Sequence, residues 1–272
     1  MNSPASSYRV EIERLGWYGG AGGRRVLCLP SCTGSRPPVQ QTASPLSDPQ
    51  TGWLDANWSV TDTVPVGADW VSGYYLAMFV VTSGPQAGRV AWYPFVVRPP
   101  RGAEGDLLVE VPTSTWQAYN PWPGPASGHS LYEFNSAGGV AATKVSFDRP
   151  LTIRTEIGSY YQDPVFAREI QAVRFLEREG YDVSYVADAD VDAEPELLLR
   201  HRVDLVLGHD EYWTMAMREA WEGARAAGRS LVFMGGDIGT WHVRLEDSRR
   251  TLVGYKYKPD PRQPPTTKFR NL

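Results

Sequence analysis

The sequence has few cysteines and no long apolar run, and each absence removes a class of protein. Cys28 and Cys32 are the only cysteines, too few for a disulfide framework or a four-cysteine zinc site. We interpret them as packing residues, with a local disulfide bridge as the second interpretation. No run approaches the ~20 apolar residues that a membrane-spanning helix needs, so a membrane is not an expected partner.

The sequence also lacks a large excess of either charge and a recognisable secretion signal. The chain has 27 Lys and Arg against 31 Asp and Glu, a net charge of -4, without a long basic stripe. Nucleic-acid-binding proteins carry such a stripe, so we expect no nucleic-acid partner. The first ten residues lack the charged start and apolar middle of a signal peptide. We therefore predict a cytoplasmic protein, although a chain trimmed of its leader would look the same.

Residues 1–98 have the pattern of antiparallel β-structure. Short alternating or aromatic runs are separated by Gly, Pro, Ser and Asp clusters, and a Pro- and Ser-rich loop over 31–52 interrupts them. The runs are YRVEIERLGWYG, RRVLCLP, WSVTDTVPV, GYYLAMFVVT and AWYPFVVRP. They predict a β-sandwich of the immunoglobulin or jelly-roll kind. Pro and Gly in residues 99–105 then predict a linker.

Residues 106–272 alternate between the period of a strand and that of a helix. Four segments have the pattern of strands: DLLVEVPT, YDVSYVAD, VDLVLGHD and SLVFMGGD. Three segments between these strands have the pattern of helices: DPVFAREIQAVRFLEREG, EPELLLRHR and TMAMREAWEGARAAG. Strands that alternate with helices imply right-handed crossovers. The sequence therefore predicts a mostly parallel, three-layer α/β domain after an antiparallel β-sandwich.

Polar and aromatic side chains follow the carboxyl ends of three of these strands, where open parallel sheets bind ligands. One segment supplies Thr113, Trp116, Tyr119 and Asn120, the second His209 to Trp213, and the third Asp237 and Trp241. The tryptophans could instead cap the sheet, and the acids could cap helix N-termini. His209 and Glu211 favour a site, because an acid and an imidazole directly after a buried strand are poor core material. The remaining histidines lack ligand spacing, and we interpret His129, His201 and His242 as surface or helix-end residues.

At these residues the chain resembles the large (beta) subunit of N,N-dimethylformamidase and its relatives, from about Tyr8 to Lys258. The similar segments are VPTSTWQAYNPWPG, SLYEFNS, KVSFDRP, VRFLEREGYDVSYVADAD, GHDEYW and VRLE. The resemblance implies a mononuclear iron that is held by two tyrosines and a glutamate and hydrolyses a small amide. Tyr119 matches the first tyrosine and Glu211 the glutamate; Tyr160 is our choice for the second tyrosine, and Tyr161 is its alternative.

The same resemblance assigns further residues. His209 matches a histidine beside the iron ligands, and Asp237 stands where the family has an asparagine. The expected catalytic residues are thus His209, Asp237 and Glu211. Tyrosinates and carboxylates are hard anionic donors, which suit ferric iron better than zinc. Trp116, Trp213 and Trp241 would form an apolar wall for a small uncharged amide.

Two other functions stay open from the sequence. The family's large subunits extend further, so the α/β domain is expected to be incomplete at its C-terminus. A non-catalytic binding or assembly protein of the same fold is one alternative. A metal-dependent hydrolase of another bond is the other, because a fold does not fix the chemistry. The expected partners are the amide substrate and either further copies of the chain or a small second subunit.

Overall fold

A computed structural model describes residues 7–152 and 165–272. The N-terminal part of the chain forms an antiparallel sheet. Its strand order is β2-β1-β5-β6, and a separate hairpin joins β3 to β4. The strands are β1 (Ser7–Leu15), β2 (Gly23–Leu29), β3 (Leu46–Asp48), β4 (Trp53–Asp55), β5 (Gly73–Ser83) and β6 (Val90–Val97). All pairs in the sheet are antiparallel, as the alternating runs predict.

Loops, and not a second sheet, cover the outer face of this antiparallel sheet in the part of the chain that the structure describes. Val64 and Trp70, from the segment between β4 and β5, pack with Tyr8, Val10 and Tyr75. The run Trp58–Val66, predicted as a strand, contains no regular strand. Its proline, Pro65, and its polar residues leave little to pair with a neighbouring strand. The expected sandwich therefore has one sheet with a loop layer over it.

The second part of the chain is a parallel α/β structure, as predicted. The parallel sheet has the order β12-β10-β7-β9. Its elements and their neighbours are β7 (Leu107–Val111), α1 (Thr113–Tyr119), β8 (Lys144–Ser146), α2 (Ile170–Arg178), β9 (Val183–Ala187), α3 (Asp188–Ala193), β10 (Val203–His209), β11 (Tyr212–Trp213), α4 (Met215–Ala226), β12 (Ser230–Gly236), β13 (Trp241–His242), β14 (Arg244–Glu246) and β15 (Thr251–Val253). A 3-10 turn at Pro195–Arg200 replaces the predicted helix EPELLLRHR.

Two hydrophobic cores lie on opposite faces of the parallel sheet. Leu205 and Leu207 of β10 face α2, where Val173 packs together with Leu76 of the antiparallel sheet. The alternate residue Val206 faces α3 and α4. Residues Met217, Ala220, Trp221 and Ala224 of α4 are all buried, as their helical spacing predicts. β10 is apolar from Leu205 to Leu207, because both of its faces are covered there.

Short strands beyond the parallel sheet complete the region around the strand ends. β11 pairs with β13 in parallel, and β15 pairs with β14 and β8 antiparallel. Far from this region, Cys28 and Cys32 form a disulfide, so the second interpretation of the cysteines is the correct one. Among the described residues, every helix is too short or too polar to cross a bilayer.

Candidate active site

The end of β10 delivers His209 and Glu211 to the carboxyl edge of the sheet. Gly208 has a φ of +75°, and a Cβ there would meet the Glu169 side chain at 3.0 Å. Glycine is therefore required at the point where the strand turns. Glu211 is fixed beyond the turn, since its backbone N–H donates to the Thr115 hydroxyl at 3.0 Å. The glycine and the threonine together aim the Glu211 carboxylate toward α1.

A cluster of three oxygen-bearing side chains, Tyr119, Tyr132 and Glu211, occupies this edge. The Tyr119 hydroxyl donates to Oε2 of Glu211 at 2.7 Å. The Tyr132 hydroxyl lies 2.5 Å from the same carboxylate oxygen and 2.6 Å from the Tyr119 hydroxyl. The two phenol rings are stacked, with centroids 4.2 Å apart. Residues from three separate segments thus converge on one carboxylate, and we call them the oxygen cluster.

His209 borders the oxygen cluster on the side of β12. Its Nδ1 faces the Gly236 carbonyl oxygen at 3.1 Å, and a carbonyl can only accept, so Nδ1 carries a proton. Its Nε2 lies 3.1 Å from the Tyr119 hydroxyl and 3.2 Å from Oε2 of Glu211. Asp237 is more remote, with Oδ2 4.0 Å from Nδ1 of His209 and a side chain that is 65% exposed. His209 therefore presents Nε2 to the cluster, and Asp237 lies on its outer side.

Tyr212 and Lys256 border the cluster on the opposite side. The Lys256 ammonium donates to the Tyr212 hydroxyl at 2.6 Å, and that hydroxyl donates to the Tyr132 hydroxyl at 2.6 Å. The ammonium nitrogen also lies 3.6 Å from Oε1 of Glu211 and 3.4 Å from the centroid of the Tyr132 ring. A chain of hydrogen bonds thus runs from a buried cation to the Glu211 carboxylate.

Burial and charge set the protonation of these groups. Burial raises the pKa of Glu211, but hydrogen bonds from His209 and the charge of Lys256 outweigh it and bring the pKa to about 2. Burial lowers the pKa of Lys256 to about 8, against the attraction of Glu211. Burial also raises the pKa of Tyr132 and of Tyr212 well above the usual range, and the Glu211 charge adds to both shifts. In this structure, then, one carboxylate is surrounded by hydroxyl donors.

A buried arginine holds the segment that follows Tyr119. Arg149 donates to the carbonyl oxygens of Gln117 and Asn120 at 3.0 and 2.9 Å, and to that of His129 at 2.9 Å. Asn135 donates to the Tyr119 carbonyl at 2.7 Å. These bonds join the end of α1 to the loop that carries Tyr132. They explain how two tyrosines thirteen positions apart in sequence can stack at one carboxylate.

The three tryptophans expected as a substrate wall lie in different places. Trp241 is at the cluster, with the Lys256 nitrogen 4.6 Å from its ring centroid. Trp116 is buried in the core and donates its indole N–H to Glu169 at 3.0 Å. Trp213 is buried on the other face of the sheet, where it donates to Asp210 at 2.6 Å and stacks on Trp221. Only Trp241 borders the oxygen cluster.

The positions of the second tyrosine and of two other histidines can also be compared with the predictions. Tyr160 and Tyr161 lie outside the described residues. His201 and His242 are buried rather than at the surface, and each Nδ1 faces a backbone carbonyl oxygen at 2.9 or 2.8 Å, respectively. Sequence reasoning did not select Tyr132 or Lys256, and it included Tyr212 only as part of the segment His209 to Trp213. Tyr132 and Tyr212 stand in the segments SLYEFNS and GHDEYW, but nothing local distinguishes Lys256 in GYKYKP.

The donor set decides which metal these residues could hold. Within residues 7–152 and 165–272, no three His, Cys, Asp or Glu side chains form a metal-binding group. A metal at the oxygen cluster would need tyrosine ligands, and phenolate and carboxylate oxygens suit a hard, highly charged cation. Tyr119 and Glu211 are already in contact, so the residues fit such an ion once the hydroxyl protons are displaced.

Comparison with known proteins places the chain in a family. The family model described as N,N-dimethylformamidase beta subunit-like, C-terminal, matches residues 9–271. No curated protein sequence matches the chain. The family match runs from β1, through the parallel sheet and the oxygen cluster, to the 3-10 turn Phe269–Asn271. The chain therefore belongs to the N,N-dimethylformamidase beta subunit-like, C-terminal family.

Proposed function

We propose that the protein is an iron-dependent hydrolase of small, formamide-like amides. The observation that carries this proposal is the oxygen cluster, where Tyr119 contacts the Glu211 carboxylate at a strand end. The name of the matching family supports amide hydrolysis. A bound ferric iron would polarise the amide carbonyl and make water more acidic. The cytoplasm is the proposed location.

Tyr119, Tyr160 and Glu211 would hold the iron in this proposal. Tyr160 is our choice for the second tyrosine that the family resemblance implies, and Tyr161 stays the alternative. Tyr132 is a competing ligand because its hydroxyl is 2.5 Å from Oε2 of Glu211. We assign Tyr132 instead to hydrogen bonding with Glu211, since Tyr212 already donates to it at 2.6 Å.

The surrounding side chains would position the substrate and move a proton. Hydrolysis adds water to the carbonyl carbon, breaks the C–N bond and transfers a proton to the leaving nitrogen. In the form with Nε2 unprotonated, His209 would take a proton from the water at the cluster and give it to the leaving nitrogen. Asp237 lies behind the imidazole, with Oδ2 4.0 Å from Nδ1. Lys256 and Trp241 would form the opposite wall.

Metal analysis of the protein, purified without added metal, tests the ligand assignment. We expect iron in near-stoichiometric amount and a visible absorption band, because tyrosinate bound to ferric iron absorbs visible light. Glu211→Ala and Tyr119→Phe should each lose both signals. Tyr185→Phe is the matched control, since Tyr185 is equally buried but contacts Glu177 and not the oxygen cluster.

A second set of variants identifies the second tyrosine. We expect Tyr160→Phe to lose iron and colour, and Tyr132→Phe to keep them. Loss of iron from Tyr132→Phe alone would move the ligand assignment to Tyr132. Retention of iron and colour in Tyr119→Phe would remove the proposed site altogether.

Amine release from dimethylformamide and formamide tests the reaction. An iron-containing protein that releases no amine from either amide would leave the metal site in place and contradict the substrate assignment. Hydrolysis of an ester by the same protein would favour a metal-dependent hydrolase of another bond.

A further inference from the structure

Glu169 lies buried where the antiparallel sheet, α1 and the end of β10 meet. It is the last residue of a π-helical turn, Val165–Glu169, directly before α2. π-helical turns are rare and often occur at functional sites. A buried carboxyl group is costly unless it is hydrogen-bonded, so its partners indicate why it is there.

Two hydrogen bonds join the Glu169 carboxylate to different parts of the molecule. Oε2 accepts from the hydroxyl of Tyr74 in β5 at 2.7 Å, and Oε1 accepts from the indole N–H of Trp116 in α1 at 3.0 Å. An indole N–H can only donate. Burial and the Glu169 charge raise the pKa of Tyr74 well above its ordinary value, so the Tyr74 hydroxyl keeps its proton and remains a donor. Glu169 thus ties α1 to the antiparallel sheet.

The hydrogen bond to Trp116 bears on Tyr119, which follows three residues later in α1. This helix has only seven residues, Thr113–Tyr119. A helix of that length is not stable by itself, so its position depends on tertiary contacts. Residues three apart are neighbours on the surface of a helix. A fixed Trp116 indole therefore fixes the rotation of α1 and, with it, the direction of the Tyr119 side chain.

The side chain of Glu169 also packs against the turn that carries His209 and Glu211. A Cβ on Gly208 would lie 3.0 Å from Cγ of Glu169 and 3.5 Å from its Oε1. Contact this close leaves the Gly208 backbone no room to move toward Glu169. One side chain therefore borders both segments that supply the oxygen cluster, α1 with Tyr119 and the end of β10 with Glu211.

We propose that Glu169 is a positioning residue that fixes α1 relative to the Gly208 turn, so that Tyr119 and Glu211 meet with their oxygens 2.7 Å apart. The inference rests on the proposed iron-dependent hydrolase, because Tyr119 and Glu211 are its proposed ligands. Glu169 acts through Trp116 and Gly208. A displacement of ~1 Å at a reacting group can cost ~100-fold in rate, so this indirect role has a measurable effect.

Glu169→Met tests the role, because methionine keeps the length of the side chain beside Gly208 and removes both acceptors. We expect the variant to keep its iron, to shift the visible band of the tyrosinate, and to lose ~100-fold in kcat with little change in KM. Glu169→Gln should restore most of both, since its amide can accept from Trp116 and donate to the Tyr74 oxygen. Trp116→Phe, which removes the indole N–H, should shift the band as Glu169→Met does, and the double variant should add little.

Glu177→Met is the matched control. Glu177 lies in α2 and accepts from Arg14 of β1 at 2.7 Å, so the same substitution there breaks another contact with the antiparallel sheet. We expect the control to be less stable than the wild type but to keep the band position and kcat of the folded protein. A wild-type band and kcat in Glu169→Met, or an equal band shift in Glu177→Met, would overturn the proposal.

Hydrogen exchange of the iron-free protein tests the positioning apart from the reaction. The Glu211 N–H donates to Thr115 of α1 at 3.0 Å, so its exchange reports on the contact between the two segments. Glu169→Met should speed exchange about tenfold or more in residues 113–120 and 208–213, and less in β1 and β2. Wild-type exchange rates in those two segments of Glu169→Met would refute the positioning role. Faster exchange there, together with a wild-type protein that holds no iron, would support the role and refute the proposed function.

Discussion

Asp204 provides the sharpest prediction about stability. Its carboxylate lies within β10 and is fully buried, and neither oxygen has a hydrogen-bond partner among the described residues. Burial raises the pKa of Asp204 to about 7, although the charge of Arg229 opposes the shift. We predict that Asp204→Asn stabilises the protein at pH 8 and has little effect at pH 4.

The sign follows from the protons bound in each state. The unfolded carboxyl has a pKa of ~3.9, whereas the folded one stays protonated to about pH 7. Between these values the folded state binds more protons, so the free energy of unfolding falls as pH rises. At ~1.4 kcal/mol per pKa unit, the shift corresponds to at most ~4 kcal/mol above pH 7. Solvent access and the nearby arginine reduce this, and we expect a gain of ~2 kcal/mol for the asparagine.

Urea unfolding of both proteins at pH 4, 6 and 8 measures the effect. The difference in the free energy of unfolding should grow from near zero at pH 4 to its full size at pH 8. Asp69→Asn is the control, because Asp69 is exposed on a loop and its substitution should leave the pH dependence unchanged. A difference that is constant with pH, or largest at pH 4, would refute the reasoning.

Three further predictions concern the oxygen cluster and the contact between β1 and α2. His209→Ala should keep most of its iron while amide hydrolysis falls ~10–100-fold, as kinetics and metal analysis on the same preparation would show; equal loss of both would make His209 a ligand. Tyr132→Phe should lower the free energy of unfolding by ~1–3 kcal/mol, because its hydroxyl donates to the Glu211 carboxylate; an unchanged urea midpoint would contradict that bond. Arg14→Met should cost ~3–5 kcal/mol, since buried Arg14 donates to Glu177 of α2 at 2.7 Å and to the Ser72 carbonyl at 2.8 Å. Glu177→Leu in the same chain should recover part of that loss, and no recovery would argue against a charge effect.

The sequence by itself determined the order and type of the main elements. The apolar run that ends at Gly208 predicted a buried strand, and the spacing of Met217, Ala220, Trp221 and Ala224 predicted the inner side of α4. These patterns are local, because side-chain period follows directly from backbone geometry. The same reasoning placed Tyr119, His209 and Glu211 near one sheet edge, since carboxyl ends of parallel strands share an edge.

Only the tertiary structure decided which side chains contact one another at that sheet edge. Tyr132 and Lys256 reach Glu211 from loops whose paths depend on contacts distant in sequence, such as those of Arg149. Trp116 and Trp213 follow strand ends as the pattern requires, but each indole N–H is directed to a buried carboxylate in the core. A buried indole needs an acceptor, and the position of that acceptor depends on how the helices and sheets pack. Side-chain period reveals which face a residue occupies, whereas its partner is set by packing between segments far apart in the chain.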